Sequence, residues 1–163
     1  MIMCGKNDTI QLTFPAKPEY VMLARLTCSG AASRMGYSLE AIEDIKVAVS
    51  EACTNVVTHA YRGQKCSGTV SVRLECSDAQ LAVFVIDSGE SFDAEHVIKN
   101  LKPINSSLAL EDIGEGGLGL LLIRALMDEV AISSDYGVVV KMVKLLKRGG
   151  VRQYADRVST TAE

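Results

Sequence analysis

Long apolar runs are missing from this 163-residue chain. Its most apolar stretch, 118–127, is interrupted by Arg124 and is too short to cross a bilayer's hydrocarbon core. The opening Met-Ile-Met-Cys-Gly-Lys-Asn-Asp has none of the apolar core of a signal peptide. A dominant sign of charge is also lacking. A net charge of −3 with mixed signs makes no broad electrostatic case for nucleic acid or an anionic membrane as partner. No Cys-x-x-Cys pair occurs, and Cys4, Cys28, Cys53, Cys66 and Cys76 are odd in number. They are expected to be small buried apolar residues in a reducing cytosol, not a disulfide or zinc framework. Internal repeats and low-complexity tracts are absent too. These absences leave one cytoplasmic domain over 1–163, with an ordered core of about 9–147 and a polar tail from Arg148.

Periodicity then divides the chain. Ile10, Leu12 and Phe14 alternate as in a strand, which Pro15 and Pro18 end. Val21, Met22, Leu23, Leu26 and Ala32 predict a helix from Glu19 to Met35, with Pro18 suited to its first turn and Gly36 to its C-terminal cap. Ser38 is placed to cap a second helix, buried along Ile42, Ile45, Val49, Ala52 and Val56. Val70, Val72 and Leu74 alternate in a second strand. Residues 81–86 are continuously apolar, as in a strand covered on both faces. After Asp87-Ser-Gly89 comes a long segment, 90–116, with one short helix expected at 93–101. A connection of that length in a small domain is more often a functional lid than an idle loop. A third helix over 118–127 and strands at 130–133 and 138–146 complete the core.

Three clusters carry possible chemistry. Glu51, Asn55 and His59 are four residues apart on the second helix, so at about 40° between successive members they share one stripe. Alone, that stripe reads more readily as solvated polarity. Asp87 ends an apolar strand, where it can simply form a turn or can accept from the exocyclic amino group of a base, with Gly89 clearing the ring. Gly114-Glu-Gly-Gly-Leu-Gly119 precedes a helix. It suits either a hinge or a backbone approaching phosphate at a helix amino end. A dinucleotide fingerprint is disfavoured because the cluster does not follow the first strand, and a Walker loop is excluded by the missing Gly-Lys-Ser/Thr ending.

Taken in order, Glu-x-x-x-Asn on a helix, Asp-x-Gly after a strand, a long lid and Gly-x-Gly-Gly-x-Gly resemble the N, G1 and G2 boxes of the GHKL ATPase and kinase superfamily. Val49-Ser-Glu-Ala-Cys-Thr-Asn55, Thr58-His-Ala-Tyr61, Glu115-Gly-Gly-Leu-Gly-Leu120, Pro18-Glu-Tyr-Val and Ala32-Ser-Arg-Met-Gly-Tyr37 are similar to the anti-sigma-factor serine kinases within it, over about Pro15 to Leu146. The resemblance implies an α/β two-layer sandwich, a mixed, largely antiparallel sheet with helices on one face. It implies ATP and Mg²⁺ as cofactors, Glu51 as general base, Asn55 as the Mg²⁺ ligand, and Asp87 and Gly89 at adenine. Gly114, Gly116, Gly117, Leu118 and Gly119 would follow the phosphates, and Arg25 would contact protein partners. Those partners would be an alternative sigma factor, an anti-anti-sigma factor phosphorylated on serine, and a second copy of the chain. A binding-only anti-sigma factor and a detached histidine-kinase catalytic domain are the alternatives. His59 receives no role beyond the helix end. A threonine that many GHKL proteins place in the last strand for adenine is matched here to Val139, which has no hydroxyl to offer.

Overall fold

The computed structural model describes residues 7–62, 68–88, 117–133 and 138–147. Five strands, β1 (Asp8–Pro15), β2 (Thr69–Cys76), β3 (Gln80–Ser88), β4 (Glu129–Ser133) and β5 (Val139–Leu145), form one sheet in the order β1-β2-β3-β5-β4. Every pairing is antiparallel, so the described sheet is purely and not just largely so. Among the described residues three α-helices accompany it: α1 (Val21–Met35), α2 (Leu39–Arg62) and α3 (Gly117–Leu126). The short helix expected at 93–101 lies outside the described residues.

Local chemistry fixes where the helices begin and end. Pro18–Tyr20 forms a single 3₁₀ turn, with proline at its first position, and runs straight into α1. Gly36 ends α1 at φ 90°, a conformation that glycine enters without a Cβ penalty. There the Gly36 N–H reaches Ser33 O and the Tyr37 N–H reaches Ala32 O, which satisfies the last-turn carbonyls. Ser38 Oγ then accepts from the Ala41 N–H at 3.2 Å and caps α2, as its position predicts.

The helix predicted at 19–35 forms, but of the five apolar residues that predict it only Val21 and Ala32 meet the core. Met22, Leu23 and Leu26 are exposed, while Ala24, Cys28, Ala31 and Ala32 face the core. Small side chains let α1 lie close on its neighbours, and that contact outweighs the bulk of the larger residues. α2 behaves as expected: Ile42, Ile45, Val49, Ala52 and Val56 are all buried. Under the helices lie Val70, Val72 and Leu74 of β2, Leu81, Val83 and Val85 of β3, and Val140 and Met142 of β5. The opposite sheet face buries a second cluster, Ala82, Phe84, Ile86, Val139 and Val143. Arg73 and Lys141 stand over the Phe84 ring at 5.2 and 5.9 Å from its centroid. β3 is therefore covered on both faces, as its unbroken apolar run requires.

Cys28 and Cys53 are free and buried in the main core. Burial pushes the Cys53 thiol up to about 12 and the Cys28 thiol higher still, so both remain protonated packing residues. Cys76 is free and partly buried, its thiol also raised by burial. Cys4 and Cys66 lie outside the described residues.

Candidate nucleotide and phosphoryl-transfer site

α2 and α3 pack against each other, and their contact brings two motifs together that are separated by more than sixty positions in the chain. Glu51 and Asn55 are both half-buried on α2, one turn apart. Gly119 lies directly against them in the first turn of α3. A Cβ built at Gly119 would stand 2.8 Å from Glu51 Oε2, 3.4 Å from Asn55 Nδ2 and 3.6 Å from Asn55 Oδ1. Those two side chains are its three nearest atoms, so the glycine cluster and the polar stripe form one place in the molecule.

Neither Glu51 nor Asn55 has a hydrogen-bond or ion-pair partner among the described residues. Their oxygens and the Asn55 amide are free to meet a ligand. The amino end of α3 adds backbone N–H groups and the positive end of the helix dipole, both favourable to phosphate. Gly117 opens the helix, and Leu118 beside it is strongly exposed.

Asp87 sits near the end of β3. By strand alternation it points to the same face as Leu81, Val83 and Val85, the face that α2 covers. Its N–H donates to Val138 O at 2.9 Å, tying it to the start of β5. That pairing corrects the reading of Val139. Val139 is paired with Ile86 and buried with it in the cluster on the opposite face. Val138 is the residue beside Asp87, and its side chain packs with the main core. A missing hydroxyl at Val139 therefore has no bearing on a ligand at Asp87. The Gly-Val-Val-Val run gave no signal for choosing between neighbouring valines, because one step along a strand reverses the face.

A resident metal would have to suit these donors. Among the described residues no group of three or more His, Cys, Asp or Glu side chains could hold an ion by itself. The Asn55 amide oxygen instead suits a hard cation that takes most of its ligands from phosphate and water, as Mg²⁺ does.

Gly89, Gly114 and Gly116 lie outside the described residues, as does the His59 side chain. Arg25 is exposed on α1, remote from the core and flanked by the exposed Met22, Leu23 and Leu26. This apolar surface is what the sequence reading missed. Its signal was present in the alternation of alanines and a cysteine at 24, 28, 31 and 32, a helical stripe of small residues opposite the large ones.

Comparison with known proteins gives the family. The model of the histidine kinase-like ATPase domain matches residues 14–144. The serine-protein kinase RsbW of Bacillus licheniformis is 50% identical over 141 residues, covering 86% of this chain and 88% of the relative. RsbW of Halalkalibacterium halodurans is 46% identical over 154 residues, covering 94% of this chain and 93% of the relative. RsbW of Bacillus subtilis is 50% identical over 144 residues, covering 88% and 89%. With five antiparallel strands under helices and the acid and amide of one motif against the glycine of another, the chain belongs to the RsbW family of serine-protein kinases, built on the histidine kinase-like ATPase domain.

Proposed function

We propose that the chain transfers the γ-phosphoryl group of Mg-ATP to a serine of an anti-anti-sigma protein, and sequesters an alternative, general-stress sigma factor when that antagonist is not bound. The contact between Gly119 and the Glu51–Asn55 pair carries this reading, because it puts a candidate base and a candidate metal ligand under a helix amino end. Glu51 accepts the serine proton as the serine oxygen bonds to the γ-phosphorus and the bond to the β-phosphate oxygen breaks, releasing ADP. Asn55 holds the metal through its amide oxygen, and Asp87, with Gly89 clearing the ring, accepts from the adenine amino group. When bound, Mg²⁺ would supply charge neutralisation at the phosphate oxygens. Gly114, Gly116, Gly117 and Leu118 border the phosphates.

Protein partners are proposed to meet Arg25 and the exposed Met22, Leu23 and Leu26 of α1, an apolar patch with a cation in it. The chain is proposed to work as a cytoplasmic homodimer without touching nucleic acid or membrane. No helix among the described residues is long and apolar enough to cross a membrane. The test is incubation with γ-labelled ATP and a candidate anti-anti-sigma protein. Acid-stable, Mg²⁺-dependent label on serine is expected. Absence of label would leave a binding-only anti-sigma factor, and acid-labile label would indicate transfer to histidine.

A further inference from the structure

We infer that Gly119 is a positioning residue for the acid on α2, in addition to any part it has in shaping the phosphate lid; this rests on the reading of Glu51 as base. The missing side chain at Gly119 is what gives the Glu51 carboxylate its place. A methyl group there would stand 2.8 Å from Glu51 Oε2, inside van der Waals contact, so one of the two must shift. Its distances to Asn55, 3.4 and 3.6 Å, fall within or at the edge of ordinary contact. One added carbon therefore conflicts with the acid and spares the amide.

What yields is decided by how α3 is held. Ile123 and Met127 are buried beneath it. At its far end Lys144 Nζ donates to Leu126 O and pairs with Asp44 Oδ2 at 2.9 Å. Immediately after the helix, the Asp128 N–H donates to Val143 O, and the Asp128 carboxylate accepts from the Leu145 N–H at 2.7 Å. These contacts fasten the carboxyl end of the helix to β5, and at the amino end the atom a Gly119 methyl would meet is the far end of a flexible side chain. Glu51 is half-buried and flexible at its tip, so the carboxylate rotates out of place while the backbone stays. Alanine also suits a helix better than glycine, so folding is not at risk.

Gly119→Ala should therefore separate binding from transfer. Single-turnover transfer from γ-labelled ATP to the anti-anti-sigma protein should fall by about ten- to a hundredfold, the scale of a misplaced base. Affinity for Mg-ATP, read with a fluorescent ATP analogue, should fall by a clearly smaller factor than transfer does, because the Asn55 contact is barely disturbed. The decisive comparison repeats the substitution in a Glu51→Gln background. With the base already gone, Gly119→Ala should cost no further transfer, a non-additivity that a general structural lesion would not produce. Unchanged transfer in the single variant would overturn the inference. So would a loss of nucleotide affinity matching the loss of transfer, or an equal fold-loss in both backgrounds. Wild-type transfer in Glu51→Gln alone would refute the base itself, and is read before either glycine variant.

Discussion

The two ends of α3 are finished in opposite ways. At the carboxyl end the polar groups that anchor it have partners. Lys144 reaches both Asp44 and the Leu126 carbonyl, and the Tyr37 hydroxyl accepts from the Leu81 N–H and donates to Lys144 O. Burial pushes the Tyr37 phenol up to about 12, so it remains a neutral donor throughout the physiological range. At the amino end Glu51 and Asn55 lie against Gly119 with no partner among the described residues. One end spends its hydrogen-bonding capacity on the fold, and the other keeps it for a ligand. Glu51 and Asn55 are half-buried and their polar atoms are not among the enclosed, unpartnered ones, so that capacity is open to solvent or to a ligand.

That contrast predicts which substitutions change stability and which change binding. The largest effect on folding is expected from Ile123→Ala, which empties a buried site under α3 and should cost about 2–5 kcal/mol by denaturant titration. Tyr37→Phe should follow, at about 1–3 kcal/mol, because the Leu81 N–H and Lys144 carbonyl both lose their partner. Neither should change the affinity for Mg-ATP by more than a small factor while the protein is folded; a large loss would join the two ends into one unit. Asn55→Ala should do the reverse, weakening Mg-ATP about tenfold, or about 1.4 kcal/mol, with an unaltered unfolding midpoint. Unchanged affinity would remove Asn55 as metal ligand. The smallest effect, about 1 kcal/mol of stability, is expected for Ser38→Ala, which removes the α2 cap at the far end from the site.

Much of this frame was legible in the residues. Gly36 and Ser38 mark a helix end and start by chemistry that acts within a few positions, and both act as read. The unbroken run 81–86 correctly implied cover on two faces. What was lost depended on partners distant in sequence. The buried side of α1 is chosen by how closely it approaches its neighbours, so alanines displaced larger residues that periodicity alone would have put inside. Val139 was misplaced by a single step in a run of identical residues, which only the pairing with Ile86 resolves. The site was readable as three separate motifs. That Gly119, and not some other glycine of its cluster, meets Glu51 followed only from the packing of α3 on α2.

The most direct test of the division between frame and site is Glu51→Gln, with transfer and binding measured on the same preparation. The amide keeps the shape of the acid and removes its capacity to take a proton. Phosphorylation of serine should fall by roughly 10²–10⁴, the usual contribution of a positioned base. Affinity for Mg-ATP and for the proposed sigma-factor partner, and the unfolding midpoint, should stay at wild-type values. Near-normal transfer would contradict the account, since the carboxylate under Gly119 would then have no part in the chemistry.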